Sequence, residues 1–254
     1  MATTFRPLLI VALLAVALTG CAPMEVKDIT ADRTGYLEKN FTPALLPADV
    51  GKTIAATKIA PRFRKATIEY KFDFETNLGE KKITESATIQ YEDLGNGVIR
   101  ELAEYFNNGI PVSTSYELRY GGLVPLRSQR VINVNRFANM IMEVKHFKSI
   151  DKNFTNLQAD TRYEADWAGG TSVQIVNFFD RKQTCTTGKV YAANTVHSAF
   201  AGNAVDVDCE MSFNGNLDTK QQFVFLQQYG FAVVRGLIST SGKGKASITS
   251  VKLQ

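Results

Sequence analysis

The stretch KATIEYKFDFET, Lys65 to Thr76, decides how the chain is read. Its apolar residues Ile68, Tyr70, Phe72 and Phe74 alternate with Glu69, Lys71, Asp73 and Glu75. Successive side chains of a strand point to opposite faces, so a period of two describes a sheet with one buried and one wet side. NLGE follows as a turn, and ITESATIQYE keeps Ile83, Ala87, Ile89 and Tyr91 on one face. DLGNG is the next turn signal. VIRELAEYFN fits two periods, because Val98, Leu102, Tyr105 and Phe106 also suit one face of a helix; its neighbours select strand. After NNGIP, VSTSYELRY sets Val112, Thr114, Tyr116, Leu118 and Tyr120 against Ser113, Ser115, Glu117 and Arg119, and Gly121-Gly122 closes another hairpin. Turns spaced by about ten residues, with strands between them and no helical pattern, describe an antiparallel meander.

The middle of the chain is less regular. In NRFANMIMEVKHF, Phe137, Met140, Ile141, Val144 and Phe147 recur at helical spacing. They predict one amphipathic helix capped by Asn135, with a strand as the alternative. Strands are then predicted over Thr161–Trp167, Thr171–Phe179, Lys189–Val196, Ala204–Phe213, Gln222–Gln227, Phe231–Ser239 and Ala246–Leu253. In AVDVDCEMSF, Val205, Val207, Cys209, Met211 and Phe213 share a face, which points Cys209 toward the core. FVFLQQYGFAVVRGLIS is apolar on both faces and predicts strands covered on both sides. Residues 48–254 are therefore expected to form a single, mainly β domain. The expected architecture is an antiparallel meander of about ten strands curling into a curved sheet, half-barrel, barrel or sandwich, with one short helix allowed. Residues 21–47 hold no sustained periodicity and contain Pro23, Pro43 and Pro47, so they are expected to be a membrane tether. A short packed segment is allowed within Ala44 to Ile59.

The amino terminus carries an address. Residues 1–6 hold one arginine and no acid, and LLIVALLAVAL, Leu8 to Leu18, is too short to span a hydrocarbon core of about 30 Å. Residues 1–20 read as a secretory signal peptide. Leu18-Thr19-Gly20-Cys21 resembles the lipobox of bacterial lipoproteins, in which cleavage falls between Gly20 and Cys21. The resemblance implies a thioether-linked diacylglycerol on Cys21 and a fatty acyl group, such as palmitate, on its amino group. Two or more acyl chains hold a protein firmly where one does so only marginally. With Ala22 rather than Asp after the cysteine, the resemblance implies the outer membrane, with the domain on its periplasmic face. Export places the two remaining cysteines in an oxidising compartment, where they are read as a Cys185–Cys209 disulfide. A metal held by Cys185, His197 and Cys209 is the rival reading, and it lacks the closely spaced ligand pairs of zinc sites.

Lys and Arg number 29 against 25 Asp and Glu, and the charges are scattered. The concentrated basic stripe of a nucleic-acid binder is missing. GLISTSGKGK, Gly236 to Lys245, departs from the phosphate-binding G-x-x-x-x-G-K-[ST] in spacing and in its last residue, and reads as a hairpin turn. Asp206, Asp208 and Glu210 share one strand face, where they are a solvated surface or else a calcium or acid/base site. His146 and His197 read as structural, and no nucleophile elbow, cofactor motif or metal motif is found. Trp167, ahead of AGG, is a core plug or the wall of a ligand pocket. Three functions follow in order. The first is a non-catalytic module binding a lipid or other apolar ligand, which resembles LolA/LolB-like lipoprotein carriers at the level of fold alone. The second is an envelope scaffold or assembly factor binding another protein. The third is an envelope hydrolase.

Overall fold

Alternation of period two recurs around a complete ring of strands. The computed structural model describes residues 24–76, 82–239 and 242–254. The signal peptide, Gly20 and Cys21 lie outside the described residues. The strands are β1 (Lys65–Thr76), β2 (Lys82–Asp93), β3 (Val98–Asn107), β4 (Ile110–Tyr120), β5 (Val124–Ile132) and β6 (Met142–Ile150). They continue as β7 (Arg162–Thr171), β8 (Phe179–Ala192), β9 (Asn203–Phe213), β10 (Asn216–Leu226), β11 (Phe231–Ser239) and β12 (Gly242–Leu253). Each pairs with its chain neighbours, and β12 closes antiparallel onto β1, so the meander forms a closed barrel. Closure pairs the first strand of the meander with the last, so the sheet has no open ends, although β5 and β6 pair only through Arg127 and Ser128. Odd-numbered strands end, and even-numbered strands begin, at one rim, termed here the upper end; it carries the 133–141 and 172–178 loops. The lower end carries the connections 94–97, 121–123, 151–161, 193–202 and 227–230.

The barrel is not hollow throughout. β11 pairs with β12 only from Gly236 to Ser239, and below that point the β10–β11 hairpin is buried on both faces. Phe223, Phe225 and Ala232 pack into one apolar cluster with Val205, Val207, Cys209, Tyr163 and Trp167. Val224, Leu226, Phe231 and Val233 pack into another with Ile68, Tyr70, Phe72 and Ile89. The hairpin is a partition between two cores, which accounts for its being apolar on both faces. Cys185 and Cys209 stand opposite each other in the β8–β9 register, joined by a disulfide and buried. Their bonding overturns the reading of these cysteines as metal ligands with His197.

The segment expected as a tether is folded over its described part. Met24 onward forms α1 (Val26–Ala31), α2 (Arg33–Asn40) and α3 (Ala48–Ala55), joined through a single 3₁₀ turn at Pro43–Leu45. Asp32 caps α2 by accepting from the Gly35 N–H at 2.9 Å. These helices cover the outer wall of β4 and β5. Phe41, wholly buried, stacks on Tyr116 at 5.8 Å, and the Tyr36 hydroxyl donates to Gln129 Oε1. Arg127 donates to the Asn40 carbonyl at 2.9 Å and is ion-paired with Glu143. The helices are too short to show a periodicity, which is why the sequence reads as irregular there. Among the described residues no helix is long and apolar enough to cross a membrane.

Two further expectations differ from the structure. The helix predicted near Asn135 is the loop 133–141 followed by strand β6. Bulges between Val144 and His146 and between Phe147 and Ser149 place Val144, Phe147 and Ile150 opposite Gly169, Trp167 and Ala165. Each bulge adds a residue, so one face of β6 recurs every three residues and imitates a helix. The strand predicted over Thr171–Phe179 is a loop between β7 and β8. The Gln174 side chain accepts from the Thr171 N–H and donates to the carbonyls of Val176 and Asn177, fixing a turn that no neighbouring strand pairs.

Phe41→Ala is expected to lower unfolding free energy by about 3–5 kcal/mol in urea titrations; an unchanged midpoint would mean that this segment is a tether after all. Replacing Cys185 and Cys209 together by Ala is expected to cost about 3 kcal/mol in the same assay. The unreduced, denatured wild-type chain should expose neither thiol to a thiol reagent.

Candidate functional site

The cavity of this barrel comes from an inversion on β4. Tyr116, Leu118 and Tyr120 point outward, beneath or beside the helical segment, so Ser115, Glu117 and Arg119 point inward. On β3 the inward partners are Glu101 opposite Glu117, Ala103 opposite Ser115 and Ile99 opposite Arg119. Two carboxylates directly across a ladder repel each other. Arg119 offsets this: its Nε donates to Glu117 Oε2 at 2.7 Å, its Nη2 is ion-paired with the same oxygen at 2.7 Å, and Nε lies 3.5 Å from Glu101 Oε2. Glu101 Oε1 is buried and has no hydrogen-bond partner.

These groups form one side of a cavity of about 210 Å³ that runs along the barrel from Tyr105 and Arg130 down to Gly122. Facing them are Phe72, Phe74, Ile89, Phe223 and Val234. Glu101, Arg119, Gly122 and Ala232 lie deep, while half-buried Glu85 and exposed Arg130 mark the mouth. Arg130 donates to Ser113 Oγ at 3.2 Å, and its guanidinium lies 5.4 Å from the centre of the Tyr105 ring. Phe74, Phe223 and Gly244 also line a wider cleft of about 680 Å³, bordered by Asp206, Asp208, Arg235, Lys243 and Lys245.

Burial dominates the ionisation here. It raises the Glu101 carboxyl from 4.5 to about 8, Glu117 adding to the rise while Arg119 opposes it. The Tyr105 phenol is pushed up to about 12, first by burial and then by Glu117. Tyr70 and Tyr91, whose hydroxyls are 3.2 Å apart, are both held above the usual phenol range by burial. A carboxyl that is neutral at pH 7 is able to donate a hydrogen bond as well as accept one. The cavity therefore offers a polar, titratable floor and an aromatic wall.

The residues singled out in the sequence fall elsewhere. Trp167 is 3 % exposed, sits opposite Phe147 and packs in the first core beside Cys185, so it is a core plug and the pocket reading is corrected. Asp206, Asp208 and Glu210 are tied separately, Asp206 to Tyr191 and Arg235, Asp208 to Gln222 and Glu210 to Lys220. His197 Nδ1 accepts from the Ala199 N–H of its own turn, and His146 lies against Phe178. Among the described residues no group of three or more His, Cys, Asp and Glu is placed to hold a metal ion. Glu101, Glu117, Arg119 and Arg130 were not singled out. The signal for three of them was present, since Glu101 and Glu117-x-Arg119 occupy alternate positions of adjacent strands, but alternation does not say which face is inside.

Fold and cavity together define a closed up-and-down β-barrel with a small amphipathic cavity. No family model matches the chain, and no curated protein matches it. Among solved structures it is similar to a β-barrel-like protein of domain of unknown function DUF1849 from Brucella abortus. The two are 8 % identical with a TM-score of 0.43, over 77 % of this chain and 100 % of that one.

Because folded Glu101 binds a proton that the unfolded chain releases near 4.5, its contribution to stability is fully present below that pH and is lost as pH rises to about 8. The wild-type urea midpoint is expected to fall across this window, and Glu101→Gln to flatten the fall. Parallel curves for the two proteins would remove Glu101 from the buried floor.

Proposed function

We propose that the chain is a non-catalytic binding module of the bacterial cell envelope, held on the periplasmic face of the outer membrane by acyl chains on Cys21. Its ligand is an amphipathic, lipid-like molecule that enters this cavity. The observation that supports this reading is the division of the cavity wall. Phe72, Phe74, Phe223 and Val234 offer an apolar side, and Glu101, Glu117, Arg119 and Arg130 a polar one.

Size narrows the ligand further. Pockets that enclose a drug-sized molecule usually measure about 300–1,000 Å³, and this cavity is about 210 Å³. A lipid would be enclosed over part of its length only, with the remainder in the adjoining cleft that shares Phe74, Phe223 and Gly244. The wide apolar hollow of a lipoprotein carrier has no room below, where the β10–β11 partition is packed. Neither His146 nor His197 lines the cavity, which favours binding over hydrolysis.

Native mass spectrometry of the soluble domain, secreted without lipidation and purified without detergent, tests the reading. An adduct with the mass of a fatty acid or a lipid is expected. Ser115→Phe, which projects a ring into the cavity, should abolish it while circular dichroism stays unchanged. A bare wild-type mass, or an adduct that survives Ser115→Phe, would remove the cavity from the function.

A further inference from the structure

The two ends of the barrel differ in what they show to water. Among the described residues, every exposed large apolar side chain except Leu45 and Val190 lies at the upper end. Leu45 belongs to the helical segment on the wall, and Val190 to the lower half of β8. The loop 133–141 exposes Val134, Phe137 and Met140, and the loop 172–178 exposes Val173, Ile175 and Val176. Val134 is 89 % exposed and Ile175 83 %. The loops are adjacent, since the Ser172 N–H donates to the Ile141 carbonyl at 2.8 Å where β6 and β7 meet. Single exposed apolar residues need no explanation, whereas a grouped set marks an interaction surface.

The chain's own amino-terminal segment indicates the partner. Met24 is bound to this loop, its carbonyl accepting from the Ala138 N–H at 3.0 Å, and Glu25 bridges to Phe137. Cys21 precedes Met24 by three residues, a covalent reach of about 11 Å. An acyl group on Cys21 thus starts beside the apolar loops. The neighbouring charges suit an anionic lipid surface: Lys27 and Arg136 share the single carboxylate of Glu25 yet remain largely exposed. The Arg136 guanidinium lies 4.9 Å from the centre of the Phe137 ring. The barrel wall is different. On β1 Glu69, Lys71 and Asp73 point outward, a charged face that a membrane-spanning barrel would have to present to lipid.

We propose that the upper end of the barrel rests on the bilayer, with the 133–141 and 172–178 loops dipping into the headgroup region and the cavity mouth facing the membrane. The proposal rests on the anchored reading of Cys21 and adds a second contact to it, one that would set the orientation of the barrel on the surface rather than its attachment. The apolar loops place the ligand's source, the membrane, directly at the mouth.

The test uses the mature chain with Cys21→Ser, secreted without lipidation, and vesicles of phosphatidylethanolamine with phosphatidylglycerol. Co-sedimentation of the unlipidated protein is expected. Ile175→Asp with Val176→Asp should lower its partition by about tenfold or more, the two side chains being exposed and free of core contacts. Val190→Asp at the lower half should leave partition unchanged. A protein that stays in the supernatant would overturn the proposal, as would equal binding by the loop variant. So would self-association through the loops in place of vesicle binding, read by size exclusion. Ser115→Phe separates the two readings: it should bind vesicles normally while losing the lipid adduct, so a bare mass with intact vesicle binding fails the cavity alone.

Discussion

The β10–β11 hairpin is the constraint on which the rest of the structure depends. A ring of twelve strands is wide enough to leave a hollow that must be filled or wetted, and this chain fills its lower half with its own backbone. At Gly236, where β11 parts from β12, a Cβ would come within 3.1 Å of the Gly244 carbonyl and 2.9 Å of Gln222 Oε1, a tight approach that glycine relieves. Lower down, Gly122 admits the partition, since a Cβ at that position would lie 2.7 Å from the Ala232 nitrogen. The hairpin tip is then clamped. Arg62 donates to the carbonyls of Gln227 and Thr155, Gln227 donates to the Leu157 carbonyl, and the Tyr229 hydroxyl accepts from the Ala201 N–H. Directly above the clamp the hairpin is core on both faces.

The cavity's polar side follows from a second constraint, the placement of the helices. A strand buried on its outer face by Tyr36 and Phe41 can spend its apolar residues there and turn its polar residues inward. Burying Glu101, Glu117 and Arg119 is costly unless they satisfy one another. The Arg119 fork spans both carboxylates, and the one oxygen left over, Glu101 Oε1, faces burial without a donor. Residues that break the rule of satisfied buried groups without a local remedy are where function is expected to reside.

The meander was legible because its turns and its two-residue alternation are local properties, set by residues adjacent in sequence. VIRELAEYFN and VSTSYELRY are strands, as their neighbours indicated, and within FVFLQQYGFAVVRGLIS residues 223–226 and 231–233 are covered on both faces, while Arg235 and Ile238 are exposed. What escaped notice depends on contacts distant in sequence. The bulges of β6 gave a three-residue repeat that belongs to its pairing with β7, and Gln174 closed a loop whose apolar residues alternate like a strand. The helices between Val26 and Ala55 are stabilised by the wall they cover rather than by their own pattern, as short helices must be. For the cavity, the residues were visible but their direction was not, because inside and outside exchange on β4 once another segment covers its apolar face.

Folding alone gives no reason for the two ends to differ. Each is a set of turns joining the same strands, and either could be capped by a packed connection, as the lower end is by Phe154, Leu157 and Phe200, all buried. The upper loops 133–141 and 172–178 are long enough to fold over the mouth, yet they present Val134 and Ile175 to solvent instead. Leaving such side chains in water forgoes about 1.5–3 kcal/mol for each that could have been buried. A barrel that seals one end with its own chain and keeps apolar loops beside a half-polar cavity at the other has a direction, and Met24, bonded to Ala138, lies at the apolar end.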